Sequence, residues 1–240
     1  DFGMNVTADI YPYTASFTGL GILFPEYALP PNDYQQVVNE KREQLFEYLD
    51  QRVAKRNGPE ATLFGTGADA GKTLAEVARQ EEKPYAEVLI EKGPRGGSAA
   101  YFVMDEELQA RLLQAPGINV CSDGSPTMRH PRGHGSFARI IRKFVNDDGV
   151  LGLEQAIHKM TGLPAQTTRL ARDRRGYVAI NHYADLLVFD PATVVDTATF
   201  EDPYQIAQGF DTILVNGRIV RQDGEFNGDR AGRMLRYRRK

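Results

Sequence analysis

Residues 117–139, GINVCSDGSPTMRHPRGHGSFAR, decide how the rest of the sequence is interpreted. They begin with a short apolar run at 118–121, whose length and composition are typical of a buried strand. The run leads into Asp123, so a carboxylate stands where the strand gives way to a turn. In barrels of alternating strands and helices, the catalytic groups lie at the carboxyl ends of the strands. Asp123 is therefore the first candidate for a catalytic residue.

A competing interpretation is that Asp123 only makes an Asx-turn with its own backbone, as Asp before Gly often does. The loop after it contains many polar side chains, namely Arg129, His130, Arg132, His134, Ser136 and Arg139. His130 and His134 are four residues apart, which is the spacing of two zinc ligands on one helix face. Pro131 and Gly133 lie between them, so the sequence argues against a helix here and against a helical zinc pair.

The composition is that of an ordinary globular protein. The chain has 240 residues, 41% hydrophobic and 25% charged, which is enough for one large domain or two small ones. A net charge of −3 gives no reason to expect a nucleic acid or an anionic membrane as partner. No apolar run approaches the length of a membrane span, and the single cysteine, Cys121, fits a reducing compartment. The sequence therefore predicts a cytoplasmic protein.

Helices and strands alternate up to about residue 170. Alternating apolar residues predict a strand over 4–11, and the glycines and prolines of 14–31 predict a loop or extension. Apolar spacing and capping residues predict five helices, at residues 33–55, 74–82, 84–93, 105–113 and 151–161. In the fourth of these, Leu108 and Leu112 are expected to face inward, and in the fifth His158 is expected to be exposed.

Residues 65–73, GTGADAGKT, suggest a phosphate-binding loop, but that motif requires glycine where Thr66 stands. Thr73 and Glu76 have instead the spacing of a capping box at the start of the second helix. From residue 176 onward the pattern changes to short strands, predicted at 177–180 and 184–190 and in a hairpin at 213–220. The change predicts a second, smaller β domain over 173–240 after a first domain over 1–172.

Together these segments resemble the C-terminal half of the N-acyl-D-amino-acid deacylase (D-aminoacylase) family of the amidohydrolase superfamily. The matching segments follow in family order along nearly the whole chain, as TADIYPYTAS, NVCSDGSP with HPRGHGSF, LEQAIHKMTGLPAQTTRL, RGYVAINHYADLLVFDPATVVD and TILVNGRIVRQDGEF. The resemblance implies an α/β fold, with the C-terminal half of a metal-dependent (β/α)8 TIM barrel followed by part of a β-sandwich. TADIYPY and NVCSD would be strands seven and eight, and a helical insert would occupy about 25–100. The strands near 5–11 and 117–122 are expected to be adjacent and parallel.

The resemblance implies that the enzyme hydrolyses the amide bond of N-acyl-D-amino acids with a zinc-activated water. Asp123 matches the aspartate after strand eight, which approaches the metal and acts as general base and then as general acid. Such a reaction needs an acceptor for the proton of the water and a donor for the leaving amine. Arg132 matches a residue that binds the substrate α-carboxylate, which a guanidinium can bind through two hydrogen bonds. Tyr11 matches a substrate-contacting tyrosine, and His130 is expected to bind substrate or orient Arg132, unless it only shapes the loop.

The main metal ligands of the family are missing from this sequence. The family takes them from a His-x-His pair near the start of the barrel, a bridging cysteine or similar residue, and histidines after strands five and six. The histidines of this chain match none of these positions, and neither does Cys121; the histidines are His130, His134, His158 and His182. The chain alone is therefore expected to hold no catalytic zinc and to be an inactive piece of the enzyme.

The expected partners are the N-terminal half of the same enzyme and a small N-acyl-D-amino acid. Two alternatives remain open. One is another amidohydrolase of the dihydroorotase or hydantoinase type. The other is a non-catalytic scaffold or partner chain.

Overall fold

The computed structural model describes residues 6–236. Its central feature is a pair of parallel strands, β1 (Ala8–Ile10) and β5 (Ile118–Val120), in which Ala8 lies opposite Ile118 and Ile10 opposite Val120. The predicted adjacency and direction of these strands are confirmed. Residues 4 and 5 of the predicted first strand lie outside the described residues.

The two faces of this strand pair differ in chemistry, because successive side chains of a strand point to opposite sides. Ile10 and Val120 face a core that is formed with α4 (Glu106–Gln114) and α6 (Leu153–Met160); its buried members include Leu113, Ile140, Phe144, Leu151 and Ala156. On the other face Asn119 Nδ2 donates to Asp9 Oδ1 at 2.9 Å. The pair therefore has one apolar face covered by helices and one polar face.

A second unit lies between β1 and β5 along the chain. Its antiparallel sheet has the order β2-β4-β3, with β2 at Ala15–Gly19, β3 at Thr62–Phe64 and β4 at Ser98–Phe102. The prediction of a loop or extension over 14–31 is wrong in its first part. The strand β2 is held by pairing with β4, which lies about 80 residues further along the chain, so its own short sequence gives little sign of it.

Three helices pack on this sheet, α1 (Tyr34–Ala54), α2 (Leu74–Gln80) and α3 (Tyr85–Lys92), and their predicted positions are confirmed. Their starts are set by local caps. The Asp33 side chain accepts from two backbone N–H groups of the first turn of α1. The capping box before α2 is also present: Glu76 N donates to Thr73 Oγ1 at 3.1 Å, and Thr73 N donates to Glu76 Oε2 at 2.7 Å. Residue 73 therefore caps a helix, as the sequence predicts.

The helix α4 faces the core with a different side from the one predicted. Leu108 and Leu112 are 49% and 40% exposed, whereas Leu113 is fully buried and Gln109 is 4% exposed. The amide of Gln109 donates to Tyr11 O at 2.9 Å and to Tyr13 O at 3.0 Å. These two bonds satisfy carbonyl groups at the end of β1, which explains why a polar side chain is buried in place of leucine.

Leu113→Ala should lower the free energy of unfolding by about 2–5 kcal/mol, because it leaves a cavity in the core beneath β5. Leu112→Ala is the matched control, with an expected loss below about 1 kcal/mol, since its side chain is already 40% exposed. Denaturant unfolding of the two variants measures the difference. Equal losses would mean that α4 is rotated relative to the arrangement described above.

The remainder of the chain forms an antiparallel sheet in the order β6-β7-β8-β9, with β6 at Leu186–Phe189, β7 at Phe210–Val215, β8 at Arg218–Gln222 and β9 at Glu225–Phe226. The predicted hairpin is confirmed. Asn216 and Gly217, with φ of 51° and 78°, make its turn. The strand predicted at 177–180 is wrong: this segment is irregular, and Val178 and Ile180 are exposed. No helix within residues 6–236 is long and apolar enough to cross a membrane.

Candidate active site

Asp123 lies three residues beyond the end of β5, in a turn that exposes its carboxylate. Its backbone has φ of 44°, in the left-handed region that few residues other than glycine adopt. The hydrogen bond that closes the turn involves its neighbour: Gly124 N donates to Ser122 Oγ at 3.3 Å. The side chain of Asp123 is 62% exposed and points to Arg132. The structure therefore does not support an Asx-turn as the sole role of Asp123.

Arg132 is the first residue of α5 (Arg132–Arg139), and its side chain is only 3% exposed. Its Nη2 lies 2.8 Å from Asp123 Oδ2, and its Cζ lies 4.5 Å from the centroid of the Tyr11 ring. The Nε–H of Arg132 has no partner among the described residues, so the guanidinium retains a donor for another ligand. Three of the predicted site residues are thus brought together at the carboxyl ends of β1 and β5.

Tyr11 follows β1 directly and forms one wall of this group. Burial raises the pKa of its hydroxyl, and the positive charge of Arg132 opposes that rise. The hydroxyl is therefore protonated at neutral pH and can donate a hydrogen bond. The ring of Tyr11 also attracts the guanidinium through a cation–π contact.

His130 is buried behind Arg132 and has no exposed surface. Its Nδ1 accepts from Arg132 N at 3.0 Å, and its Nε2 lies 3.0 Å from Ala15 O. Because a carbonyl oxygen can only accept, Nε2 carries the proton and Nδ1 is free to accept. Burial lowers the pKa of His130 to about 4, so the ring is neutral at physiological pH. Of the two roles predicted for His130, this position favours orienting Arg132 over contact with a substrate.

The prediction against a helix near His130 and His134 is wrong for the second of these residues. Pro131 immediately precedes the first residue of α5, where the missing N–H of proline is no loss, and His134 lies within the helix. α5 continues into a π-helix at Ile140–Asp147. Glycine is required where the turn meets this helix, because a Cβ on Gly124 would lie 2.7 Å from Gly133 Cα. His130 is buried whereas His134 is exposed, so the two side chains have different surroundings.

The described residues do not fit a metal site by themselves. Within residues 6–236, no group of three or more His, Cys, Asp and Glu side chains is arranged to hold a metal ion. Asp123 offers one carboxylate, and one of its oxygens is already paired with Arg132. A metal bound at this position would need further ligands from elsewhere.

Sequence reasoning assigned no structural role to two contributors to the site. Gln109 fixes the end of β1 through the two carbonyl groups described above, and nothing in the sequence of α4 marks it as different from an exposed glutamine. Arg139 donates from Nε to Pro12 O at 2.7 Å and from Nη1 to Asp196 Oδ2 at 3.3 Å. Asp196 is buried and is also paired with Arg142. Both contributors depend on contacts between residues that are far apart in the sequence.

Gly135→Ala should lower the free energy of unfolding by about 1–3 kcal/mol, because the added methyl group would clash with Tyr13 Oη in a well-packed site. Gly133→Ala, two residues earlier in the same helix, is the control. Its methyl group would make only ordinary contacts, the closest at 3.6 Å from Ser125 O, and alanine favours a helix by up to about 1 kcal/mol. Thermal unfolding of both variants tests the prediction. A Gly135→Ala protein as stable as Gly133→Ala would contradict the close packing of α5 on Tyr13.

Comparison with known proteins agrees with this architecture. Residues 105–221, which include Asp123 and Arg132, match the model of the amidohydrolase family. The fold is therefore a mixed α/β fold of the amidohydrolase type. More particularly, the chain is homologous to D-aminoacylases and N-acyl-D-amino-acid deacylases, so the resemblance predicted from the sequence is confirmed.

Three of these similar proteins show the extent of the likeness. The chain is 44% identical over 168 residues to a D-aminoacylase of Alcaligenes xylosoxydans, covering 69% of this chain and 34% of that protein. A D-aminoacylase structure concerned with a binuclear metal centre has a TM-score of 0.75 and 35% identity, covering 98% of this chain and 44% of that one.

The N-acyl-D-glutamate deacylase of Bordetella bronchiseptica was solved with zinc and a phosphonate inhibitor. Its TM-score is 0.71 at 31% identity, and the match covers 92% of this chain and 42% of that one. The chain thus spans about one third of the first relative's length.

Proposed function

We propose that this chain is the C-terminal part of an enzyme that hydrolyses the amide bond of N-acyl-D-amino acids. The observation that carries the proposal is the contact between Asp123 and Arg132 at 2.8 Å, beside Tyr11, at the carboxyl ends of two parallel strands. Such a substrate has a carboxylate and an amide bond a few ångströms apart. The site offers a buried cation for the first and an exposed carboxylate that can serve as a base for the second.

The fold that goes with this function is a (β/α)8 TIM barrel with a small β-sandwich. In this proposal β1 and β5 are the seventh and eighth barrel strands, residues 1–172 belong to the barrel with an insert at about 25–100, and residues 173–240 belong to the sandwich. The strand pair of β1 and β5 supports this fold, since one of its faces is polar and the other is apolar. Parallel strands are almost always buried within larger sheets, so further strands are expected beside β1 and β5 in the complete protein.

Each site residue has a separate task in this proposal. The Arg132 guanidinium binds the α-carboxylate of the substrate, and Tyr11 donates a hydrogen bond beside it. Asp123 accepts a proton from the water that attacks the amide carbonyl carbon. When the C–N bond breaks, Asp123 returns the proton to the leaving nitrogen, which gives a carboxylic acid and a free D-amino acid. His130 orients Arg132 and does not touch the substrate.

Zinc is the cofactor that we propose for the complete enzyme, with Asp123 as one ligand and the others from residues outside this chain. A bound zinc ion lowers the pKa of water towards neutrality. The zinc-containing deacylase structure described above supports the choice of metal. The partners in the proposal are thus the N-terminal half of the same enzyme and the small substrate, and a cytoplasmic location stays a prediction from the sequence.

The test is to express the complete protein that contains this chain and to supply it with zinc and N-acetyl-D- or N-acetyl-L-amino acids. Release of acetate from the D series alone is expected. The 240-residue chain tested in parallel should show no turnover, because its described residues form no metal site. Turnover by this chain alone would contradict the need for further ligands. Hydrolysis of dihydroorotate or hydantoins in place of N-acyl-D-amino acids would establish the alternative enzyme class, and no hydrolysis at all would favour a scaffold.

A further inference from the structure

A closed loop of the C-terminal region contacts the candidate site. Val195 and Gln208 pair through two backbone hydrogen bonds, of 3.2 and 3.0 Å, and so close a loop over residues 196–207. Inside it Thr197 Oγ1 donates to Ile206 O at 2.8 Å, and Asp202 N donates to Thr199 Oγ1 at 3.0 Å. These bonds give the 196–207 loop a defined shape of its own.

The loop inserts one aromatic side chain among the residues that surround His130. The ring of Phe200 lies with its centroid 4.9 Å from that of His130 and 4.7 Å from that of Phe102, at the end of β4. Tyr13 contacts both His130 and Phe200, with centroids 5.5 and 6.2 Å away. The edge-to-face contacts that His130 makes with Tyr13 and Phe200 are favourable. Phe200 therefore closes the apolar environment of the imidazole.

Further contacts fasten the loop to the segment between β5 and α5. Arg129 Nη2 donates to Glu201 O at 2.9 Å. Tyr204 stacks edgewise on His134, with centroids 5.9 Å apart. At the start of the loop, Asp196 pairs with Arg139. A Cβ on Gly135 would lie 3.5 Å from the Cβ of Asp196, so helix and loop are in close contact.

The position of Arg132 depends on this environment. Its backbone N–H is held by Nδ1 of His130, and that nitrogen accepts only while the ring is neutral. Among the groups that face the ring, Arg132 is positively charged, whereas Tyr11, Tyr13, Phe17 and Phe200 are uncharged rings. Loss of Phe200 would remove one side of the apolar environment and admit water to the imidazole.

We infer that Phe200 is a positioning residue of the site. It fixes the His130 ring, and through that ring it fixes the backbone and guanidinium of Arg132. The 196–207 loop therefore controls how well a substrate carboxylate is bound. The effect of Phe200 on substrate binding, measured as KM, rests on the proposed function. The structural consequence, the placement of His130, can be measured without any turnover.

The experiment compares Phe200→Ala and Phe200→Leu in the complete protein. Tyr48→Ala, which removes an exposed ring from α1, is the control. In Phe200→Ala, kcat/KM for an N-acetyl-D-amino acid should fall about 10- to 100-fold, mainly through a higher KM, as expected for a misplaced binding group. The leucine variant should recover part of this loss.

The second measurement is the ¹⁵N spectrum of His130, assigned by the signals that vanish in His130→Gln. The pKa of the ring should move in Phe200→Ala from about 4 towards its ordinary value of 6.5, and it should stay in place in the control. A purely structural role of Phe200 would lower the unfolding temperature and leave both the KM and the His130 signals unchanged.

A folded Phe200→Ala protein with the original KM overturns the inference, and so does a raised KM with unchanged His130 signals. If the alanine variant does not fold, the leucine variant decides by the same two measurements. If the complete protein hydrolyses no N-acyl-D-amino acid, the proposed function is wrong. The inference is then judged on the NMR signals of His130 and of the Arg132 backbone amide. It is overturned if these signals are the same in Phe200→Ala as in the original protein.

Discussion

Asp123→Asn in the complete enzyme should lower kcat by at least 10²–10⁴-fold, the usual contribution of general acid–base catalysis. Asparagine keeps the shape of the side chain and one oxygen that can accept from Arg132. It cannot take a proton from water or return one to the leaving amine. The loss should therefore appear in kcat, with KM changed much less, and steady-state kinetics with an N-acetyl-D-amino acid measures both.

Asp211→Asn, the same chemical change at an exposed position of β7, is the control and should leave kcat unchanged. Zinc content should be measured in both variants, because Asp123 is also proposed as a metal ligand. A slow Asp123→Asn enzyme that keeps its zinc supports the role of proton carrier. A near-normal rate with the metal bound would exclude Asp123 as the base.

Arg132→Ala should raise KM strongly and decrease the transition-state stabilisation in kcat/KM by about 2–5 kcal/mol, as expected when one partner of a buried charge pair is removed. Arg132→Lys keeps the positive charge but not the planar pair of donors, so an intermediate effect is expected. Arg218→Ala is the control. It breaks an exposed pair with Asp229, and such surface pairs contribute little.

A substrate without the carboxylate separates binding from structural damage. With an N-acyl-D-amino acid amide, the original enzyme loses the contact to Arg132, so the alanine variant should differ from it much less. An equally large loss with the amide would show that Arg132 acts by holding Asp123 in place. An unchanged kcat/KM with the acid would remove Arg132 from the site.

The sequence by itself determined those elements whose causes are local. The helix α1 begins at the Asp33 cap, α2 begins at the capping box of Thr73 and Glu76, and the hairpin of β7 and β8 turns at Asn216. In each case the side chain that decides the structure bonds to backbone only a few residues away, or adopts the φ that the turn requires. The pairing of β1 with β5 was also predicted, since a crossover between consecutive parallel strands usually brings them side by side.

The sequence identified the four site residues through their position after a strand and through the family resemblance; they are Asp123, Arg132, Tyr11 and His130. Their arrangement was not. Asp123 and Arg132 are nine residues apart, and they meet because α5 starts directly after Pro131, where the sequence argued against a helix. Proline disfavours the interior of a helix, but it is well suited to the start of one, and the pattern of residues alone did not distinguish the two.

Only the tertiary structure decided the features that depend on distant partners. The strand β2 exists because β4 pairs with it, and the segment 177–180 has no such partner among the described residues despite its β-branched residues. Gln109 is buried in α4 because carbonyl groups at the end of β1 need a donor, and Phe200 is placed at His130 by a loop that starts beyond β6. Backbone pairing and the burial of polar groups are settled by whichever residues the fold brings together, and a local pattern carries no record of them.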